Sequence, residues 1–296
     1  MEELIKKAAV LQEALPYMRR FQGRTFVIKY GGHAMTEEPL RESFARDVVL
    51  LRYVGIQPIV VHGGGPQIDA TLAKMGLVPR RVDGLRITDE ETMDVVSMVL
   101  RGRVNREIVA MLQRHGGQAV GISGIDGGLL LAQKLAPVHT ASGPVDTGRV
   151  GAIKDVRADL LQALLGSNFI PVIAPIAADA DGQPLNINAD TVAGEVAAAV
   201  RAEKLILMTD TEGVRDGDGE LIKSLTPEIA KRHREDNVIV GGMIPKVECA
   251  LRALFGGVNK CHIIDGRRQH AILLEIFTDQ GIGTEILRRP GSSRRT

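Results

Sequence analysis

The sequence predicts an α/β fold with a mainly parallel central sheet. Two observations predict it. Short apolar, β-branched runs alternate along the chain with amphipathic, helix-periodic segments, the pattern of strands joined by helical crossovers. Two of those runs also stop abruptly at glycines: Phe26-Val27-Ile28-Lys29-Tyr30-Gly31-Gly32 and Ile59-Val60-Val61-His62-Gly63-Gly64-Gly65-Pro66. Strand, glycine turn and helix in succession let a ligand approach the backbone. They also present N–H groups at a helix N-terminus, where partial positive charge favours an anion.

The chain begins with Leu4, Ala8, Leu11, Leu15 and Met18 at alternating spacings of four and three, an amphipathic helix before the first strand. Pro16 is expected to kink or break it. Two readings stay open for this helix: packing on its own domain, or an arm packing on another subunit. A helix over Glu38 to Val54 follows the first strand, and one over Ile68 to Met75 follows the glycine triplet. Thr88 is a candidate N-cap, with Glu91 at the capping-box position. The helical region after it runs to about His115, with an interruption near Gly102.

Gln118 to Ser123 reads as a strand, Leu129 to Gly151 as hairpins, Asp159 to Leu165 as a helix and Phe169 to Pro175 as a strand. A loop carries Asn186-Ile187-Asn188-Ala189-Asp190, and a small-residue helix runs from Thr191 to Ala202. Leu205 to Asp210 is an apolar strand ending in polar groups. Asp216 to Gly219 is a hairpin turn, and Gly241 to Lys246 opens a helix over Val247 to Phe255. A strand at Cys261 to Ile264 and a helix near Gln269 to Phe277 close the pattern. A soft lobe boundary falls near Ile176 to Asp181. Ligands of such sheets gather at strand C-termini, so Lys29, Gly63 to Gly65 and Thr209-Asp210 are expected to share one cleft.

At 296 residues the chain can form one large domain or two lobes. A net charge of +1 removes any global electrostatic case for nucleic acid or acidic membranes. Aromatic residues at 3%, with no Trp, leave no stacking platform for bases. No apolar run approaches the ~20 residues of a membrane span, and the segment from Met1 to Gln22 has no signal core. Cys249 and Cys261 form no C-x-x-C pair and read as reduced thiols of a cytoplasmic protein.

No Walker A loop is present, and Ile68 stands where a dinucleotide fingerprint needs its third glycine. Protein-kinase, zincin and cysteine-zinc motifs are also missing. A nicotinamide oxidoreductase is thereby weakened. The glycine junctions and a strand-end lysine leave a phosphate site as the favoured reading.

Taken in order, Ile28-Lys29-Tyr30-Gly31-Gly32, Val61-His62-Gly63-Gly64-Gly65-Pro66, Gly84-Leu85-Arg86-Ile87-Thr88, Asn186 to Asp190, Leu207-Met208-Thr209-Asp210 and Gly241-Gly242-Met243-Ile244-Pro245-Lys246 closely resemble the amino acid kinase family over nearly the whole chain. The resemblance is to its arginine-inhibited members, which phosphorylate N-acetyl-L-glutamate. It implies the amino acid kinase (carbamate kinase-like) fold, a three-layer αβα sandwich with a mainly parallel central sheet. It also implies ATP-dependent phosphorylation of the γ-carboxylate of N-acetyl-L-glutamate, the second step of arginine biosynthesis, with Mg²⁺ accompanying ATP.

Residue by residue, the resemblance gives Lys29 and Lys246 transition-state roles and makes Asp190 the group that orients them. Gly31, Gly32 and Gly64 would donate N–H groups to the transferring phosphoryl. Gly64, Gly65, Arg86 and Asn186 would bind the acceptor, with Asn188 an alternative to Asn186. Thr209, Asp210, Gly213, Met243 and Lys246 would bind ATP, whereas Leu207 and Met208 read as core. No protein-only metal site is expected.

The N-terminal helix and the ending Glu275 to Thr284 resemble those of the arginine-inhibited members. L-arginine is therefore expected as an inhibitor, held by Tyr17, Lys204, Glu275 and Gly283, in a homo-hexamer built as a trimer of dimers. A PII-type signalling protein is a candidate partner, as in some relatives; nucleic acid and membrane are not expected partners. The implied organisation is an interlacing helix at 1–22, an acceptor-binding and dimerising lobe at 23–178, and an ATP lobe at 179–296. Competing readings are another family member (glutamate 5-kinase, aspartokinase, uridylate kinase or carbamate kinase) and a non-catalytic amino-acid-binding regulator on the same scaffold. Retention of both Lys29 and Lys246 argues against the regulator.

Overall fold

The computed structural model describes residues 1–140, 143–278 and 281–288. Asp279 and Gln280 of the C-terminal motif and the side chain of Ala8 lie outside the described set.

The first half of the chain runs α1 (Glu2–Phe21), β1 (Thr25–Tyr30), α2 (Glu38–Tyr53), β2 (Gln57–His62), α3 (Gly65–Lys74), the short β3 (Arg81–Val82) and β4 (Leu85–Arg86), and α4 (Glu90–Ser97). A π-helical segment, Met98–Asn105, joins α4 to α5 (Arg106–Arg114). The expected interruption near Gly102 is thus a widened turn within a continuous helical rod. Next come β5 (Ala119–Ser123), β6 (Leu130–Lys134), β7 (Val138–Thr140), β8 (Gly143–Val145), β9 (Gly151–Val156), α6 (Asp159–Gly166), β10 (Ile170–Ala174), β11 (Ile176–Ala178) and β12 (Pro184–Asn186). The last part runs α7 (Ala189–Ala199), β13 (Lys204–Thr209), β14 (Ser224–Leu225), α8 (Pro227–Glu235), α9 (Met243–Phe255), β15 (Lys260–Asp265), α10 (Ala271–Ile276) and β16 (Thr284–Ile286).

The eight-stranded sheet has the order β14-β16-β15-β13-β1-β2-β10-β5. Its core pairs are parallel, and only the β15–β16 pair is antiparallel. Strand alternation supplies both faces. Phe26, Ile28 and Tyr30 of β1 enter one core with α2 and the π segment. Val27, Ile59, Val61, Leu205 and Leu207 enter the other with α7 and α9. Each fully buried side chain of this kind contributes about 1.5–3 kcal/mol. The hairpins expected between Leu129 and Gly151 are nested: β6 pairs with β9, and β7 with β8 inside them.

Three local expectations are corrected. Asp89, not Thr88, caps α4, its Oδ1 accepting from Thr92 N–H at 2.9 Å; Thr88 is fully buried and its hydroxyl donates to the Arg86 carbonyl at 2.8 Å. Helix α1 passes through Pro16 unbroken, held at its C-terminal end by edge-to-face contacts of Tyr17 on Phe277 and Phe21 on Phe26. Helix α7 starts at Ala189, so Asp190 lies in its first turn, and the cap is Asn188, which accepts from the N–H groups of Asp190 and Thr191.

Candidate active site

The parallel strands β1, β2 and β13 all end on the same edge, and their registers put Lys29 beside Val61 and Leu207. Lys29 is the last residue of β1 that points to the α7 face. Helices α7 and α9 pack closely because Gly194 has no side chain: a β-carbon there would come within 2.7 Å of Cys249 Sγ. The Cys249 thiol donates to the Asp190 carbonyl at 2.9 Å, tying the start of α7 to α9. The three charged groups expected from the sequence meet as a result. Asp190 Oδ1 is 3.1 Å from Lys29 Nζ, and Asp190 Oδ2 accepts from Lys246 Nζ at 2.7 Å.

Burial acts to raise the Asp190 carboxyl. The adjacent charges of Lys29 and Lys246 outweigh it and hold the group below the usual carboxylate range. Asp190 is therefore ionised and only a weak base, a fixed anion between two cations.

A cleft of about 420 Å³ opens beside this trio, lined among others by Lys29, Gly32, Thr209, Asp210, Met243 and Lys246. Met208 also reaches its wall, although it is 3% exposed, as expected for core. Gly32 has φ +69°, and a β-carbon there would strike the Asp210 carboxylate. Asp210 in turn accepts from His33 N–H at 2.7 Å, latching the loop after β1 to the end of β13. Gly31 lies under the Lys29 ammonium, where a β-carbon would come within 2.7 Å of Nζ. Gly213 is elsewhere: with φ +148° it packs on Thr284, whose hydroxyl accepts from Val214 N–H at 2.9 Å.

Gly64 precedes α3 and Gly65 begins it. Arg86, 6% exposed, reaches this N-terminus and donates to the Gly65 carbonyl at 3.3 Å. Its other guanidinium nitrogen is ion-paired with Asp69, which also accepts from Arg81 at 2.8 Å. Burial would raise Asp69, but hydrogen bonds from Arg86 and Arg81 hold it low. Asp69 is absent from the sequence reading, although its place four residues after Gly65 puts it on the same face of α3. Asn186 donates to the Thr88 hydroxyl at 3.3 Å. Its neighbour Asn188 caps α7 through Oδ1, and it is Asn186 that bonds to Thr88 beside Arg86.

A second cavity, about 360 Å³, lies between the end of α1 and α10, and Tyr17, Lys204, Glu275 and Gly283 all line it. A polar relay missed by sequence reasoning crosses its floor. Lys204 Nζ donates to His262 Nε2 at 2.8 Å and His262 Nδ1 to Glu275 Oε1 at 2.6 Å. Glu275 Oε2 accepts from the N–H groups of Ile282 and Gly283 at 2.7 and 3.0 Å. Burial, then the Lys260 charge, push Lys204 down to about 8. Burial, then Lys204, push His262 down to about 4. Burial opposes ionisation of Glu275, yet the His262 bond and the two backbone donors hold it low. Lys204⁺, neutral His262 and Glu275⁻ therefore coexist at neutral pH. Among the described residues, no helix is long and apolar enough to cross a membrane.

A protein of Geotalea daltonii named acetylglutamate kinase is 58% identical over 290 residues, spanning 97% of this chain and 99% of that one. N-acetylglutamate synthase of Neisseria gonorrhoeae, solved with coenzyme A and L-arginine, is similar in structure with a TM-score of 0.80 at 26% identity. That similarity covers 95% of this chain and 65% of the synthase, so the present chain spans about two thirds of it. Carbamate kinase of Giardia lamblia bound to AMP-PNP shares the fold, with a TM-score of 0.65 at 15% identity over 90% of this chain and 99% of that one. Residues 24–265 match the profile of the amino acid kinase family, and the chain belongs to that family.

Proposed function

We propose that the chain is an enzyme that transfers the γ-phosphoryl group of ATP to the side-chain carboxylate of N-acetyl-L-glutamate, releasing ADP and N-acetyl-L-glutamyl 5-phosphate, as the second step of arginine biosynthesis in the cytoplasm. The observation that carries this reading is the Lys29–Asp190–Lys246 trio at the edge of the sheet; the name of the Geotalea relative supplies the acceptor.

The chemistry needs cations more than bases. A glutamate carboxylate with a reference pKa of about 4.3 is already ionised at pH 7, so no group must remove a proton from it. The obstacle is bringing one anion to another. Two unit charges ~4 Å apart repel by about 4 kcal/mol at an effective dielectric of ~20. Lys29 and Lys246 offset that repulsion where charge accumulates, and Asp190 holds them there without neutralising both. The N–H groups of Gly31, Gly32 and Gly64 add aligned donors to the phosphoryl oxygens.

Arg86, with its fork kept in plane by Asp69, grips the α-carboxylate of the acceptor. Gly64, Gly65 and Asn186 complete that half. Thr209, Asp210 and Met243 bind the nucleotide beside Lys246; Gly213, which packs on Thr284, does not line the cleft. Among the described residues no group of three or more His, Cys, Asp or Glu side chains could hold a metal ion. Mg²⁺ arriving with ATP would take its ligands from nucleotide oxygens and water, and it would screen the phosphate charge. The lobes proposed for these two halves are 23–178 for the acceptor and 179–296 for ATP.

The second cavity suits L-arginine as a feedback inhibitor. Lys204 can meet its carboxylate, and Glu275 offers anionic charge to its cationic groups; the gonococcal synthase, a structural neighbour, was solved with L-arginine. Leu4, Ile5, Leu11 and Leu15 of α1 are 62, 62, 68 and 42% exposed. That apolar stripe supports an interlacing arm at 1–22 that joins dimers into a hexamer. A PII-type protein is a further candidate partner of such a ring.

The test is ADP release from MgATP with N-acetyl-L-glutamate, glutamate or aspartate, each with and without L-arginine. Strong preference for the acetylated acceptor supports the reading. Equal activity on plain glutamate moves the chain to a family neighbour, and binding of ATP without turnover favours a non-catalytic regulator.

A further inference from the structure

His62 ends β2, directly before the glycine triplet, and is fully buried. Its side chain lies on the face of the sheet that carries the π segment, opposite the face on which Lys29 meets Asp190. It has two partners. Nδ1 is 2.7 Å from the Gly63 carbonyl and Nε2 is 3.1 Å from Asn105 Nδ2.

Asn105 is the last residue of the π segment, and its amide orientation is fixed. The same Nδ2 donates to the Val172 carbonyl at 2.9 Å and points at the Ile122 carbonyl at 3.4 Å. Room for its Oδ1 exists because Gly121 has no β-carbon; one would collide with it. Nδ2 has two hydrogens, and its two shorter contacts, the Val172 carbonyl and His62 Nε2, take them, so Nε2 accepts; the Gly63 carbonyl can only accept and takes its proton from Nδ1. The ring proton therefore sits on Nδ1 and is donated to the Gly63 carbonyl. Burial pushes the His62 imidazole down to about 4, so the ring stays neutral and in this one tautomer.

The consequence reaches the next residue. A peptide unit is planar and trans, so the Gly63 carbonyl and the Gly64 N–H point in opposite directions. Gly63 is also pinned on its other side, its N–H donating to the Tyr30 carbonyl at 2.8 Å. With the carbonyl drawn toward the His62 ring, Gly64 N–H points away from that ring. Among the described residues it has no hydrogen-bond acceptor.

We propose that His62 is a positioning residue for phosphoryl transfer: Asn105 selects its Nδ1–H tautomer, and that proton turns the Gly63–Gly64 peptide so that Gly64 N–H is aimed at the reacting group. This rests on the reading above, in which Gly64 N–H is used at the site of transfer. The π segment has a role in the same scheme, since it delivers Asn105 to the strand end from a helix that otherwise runs on.

Two measurements test it. The first is ¹⁵N NMR of histidine-labelled protein, with the His62 signals assigned by their loss in His62→Asn. The expected result is a protonated Nδ1 and an unprotonated Nε2, unchanged between pH 8 and pH 5.5. An Nε2–H tautomer overturns the proposal, whatever the activity. The second is kinetic. His62→Leu removes the donor and is expected to lower kcat about 30-fold, below the 10²–10³ seen when an oxyanion donor is deleted outright, while KM for ATP stays within twofold. His62→Asn, whose amide nitrogen can take the place of Nδ1, is expected to recover kcat to within about fivefold of wild type. A folded His62→Leu protein with wild-type kcat, or a His62→Asn protein no better than His62→Leu, overturns it. Wild-type protein inert toward N-acetyl-L-glutamate would instead overturn the acceptor reading, and the NMR result would still decide the tautomer.

Discussion

Lys246 Nζ stands 2.7 Å from Asp190 Oδ2, although the two residues are 56 positions apart and on different helices. The contact joins the first turns of α7 and α9, and Lys29 completes it from β1 at 3.1 Å. The carboxylate is thus shared, and removing it leaves two half-buried ammonium groups without their common counter-ion.

Asp190→Asn is therefore expected to lower kcat by about 10²-fold, roughly 2.7 kcal/mol in barrier. The sign of its pH effect follows from the depressed carboxyl. Its stabilisation is full above the unfolded value of about 3.9 and is lost as pH falls through the lower folded value. Urea denaturation from pH 7 to pH 2.5 should show a shallower acid limb for Asp190→Asn than for the wild type.

Asp69 holds the Arg86 guanidinium that is proposed to grip the acceptor. Asp69→Asn should raise KM for N-acetyl-L-glutamate about tenfold, near 1.4 kcal/mol, with a smaller change in KM for ATP. Arg86→Lys, which loses the planar fork, should raise it at least as much. Equal effects on both substrates would refute a specific hold on the acceptor.

Lys204 is expected to make arginine inhibition sensitive to pH. Its ammonium, pushed down to about 8, is charged at pH 7 and about nine-tenths neutral at pH 9. The arginine concentration for half-inhibition should therefore rise about tenfold across that range. Lys204→Arg keeps its charge throughout and should flatten the response, which separates Lys204 from titration of the inhibitor itself.

Removal of residues 1–20 takes away Tyr17, part of the second cavity's wall, together with the exposed Leu4, Ile5, Leu11 and Leu15. Light scattering should report a smaller assembly, and turnover should persist while arginine loses its effect. Full arginine sensitivity at unchanged mass would contradict the interlacing-arm reading.

The sandwich was legible because its strands are fully buried, so Ile59–Val61 and Leu205–Leu207 stand out as apolar runs cut off by glycine or polar residues. Lys29 and Asp190 could be chosen because their motifs were distinctive. The contact of Asp190 with Lys246 could not be read, since it depends on α7 and α9 closing over Gly194. Capping competition escaped the sequence: Thr88-Asp89 and Asn188-Ala189-Asp190 each offer two competent caps, and only tertiary burial decides between them. Pro16 does not interrupt α1, whose C-terminal end is packed through Tyr17 and Phe21. The His62–Asn105 bond spans 43 residues and leaves no local pattern. Strand β16 has only three residues, too few for a periodic signal.

The most direct test of phosphoryl transfer to a carboxylate is hydroxylamine trapping with MgATP and N-acetyl-L-glutamate, comparing wild type with Lys29→Ala and Lys246→Ala. Acyl phosphates convert to hydroxamates under these conditions. The account predicts N-acetylglutamyl hydroxamate in step with ADP for the wild type and a loss of about 10²-fold or more in each variant. ADP without hydroxamate, or variants that match the wild type, would contradict it.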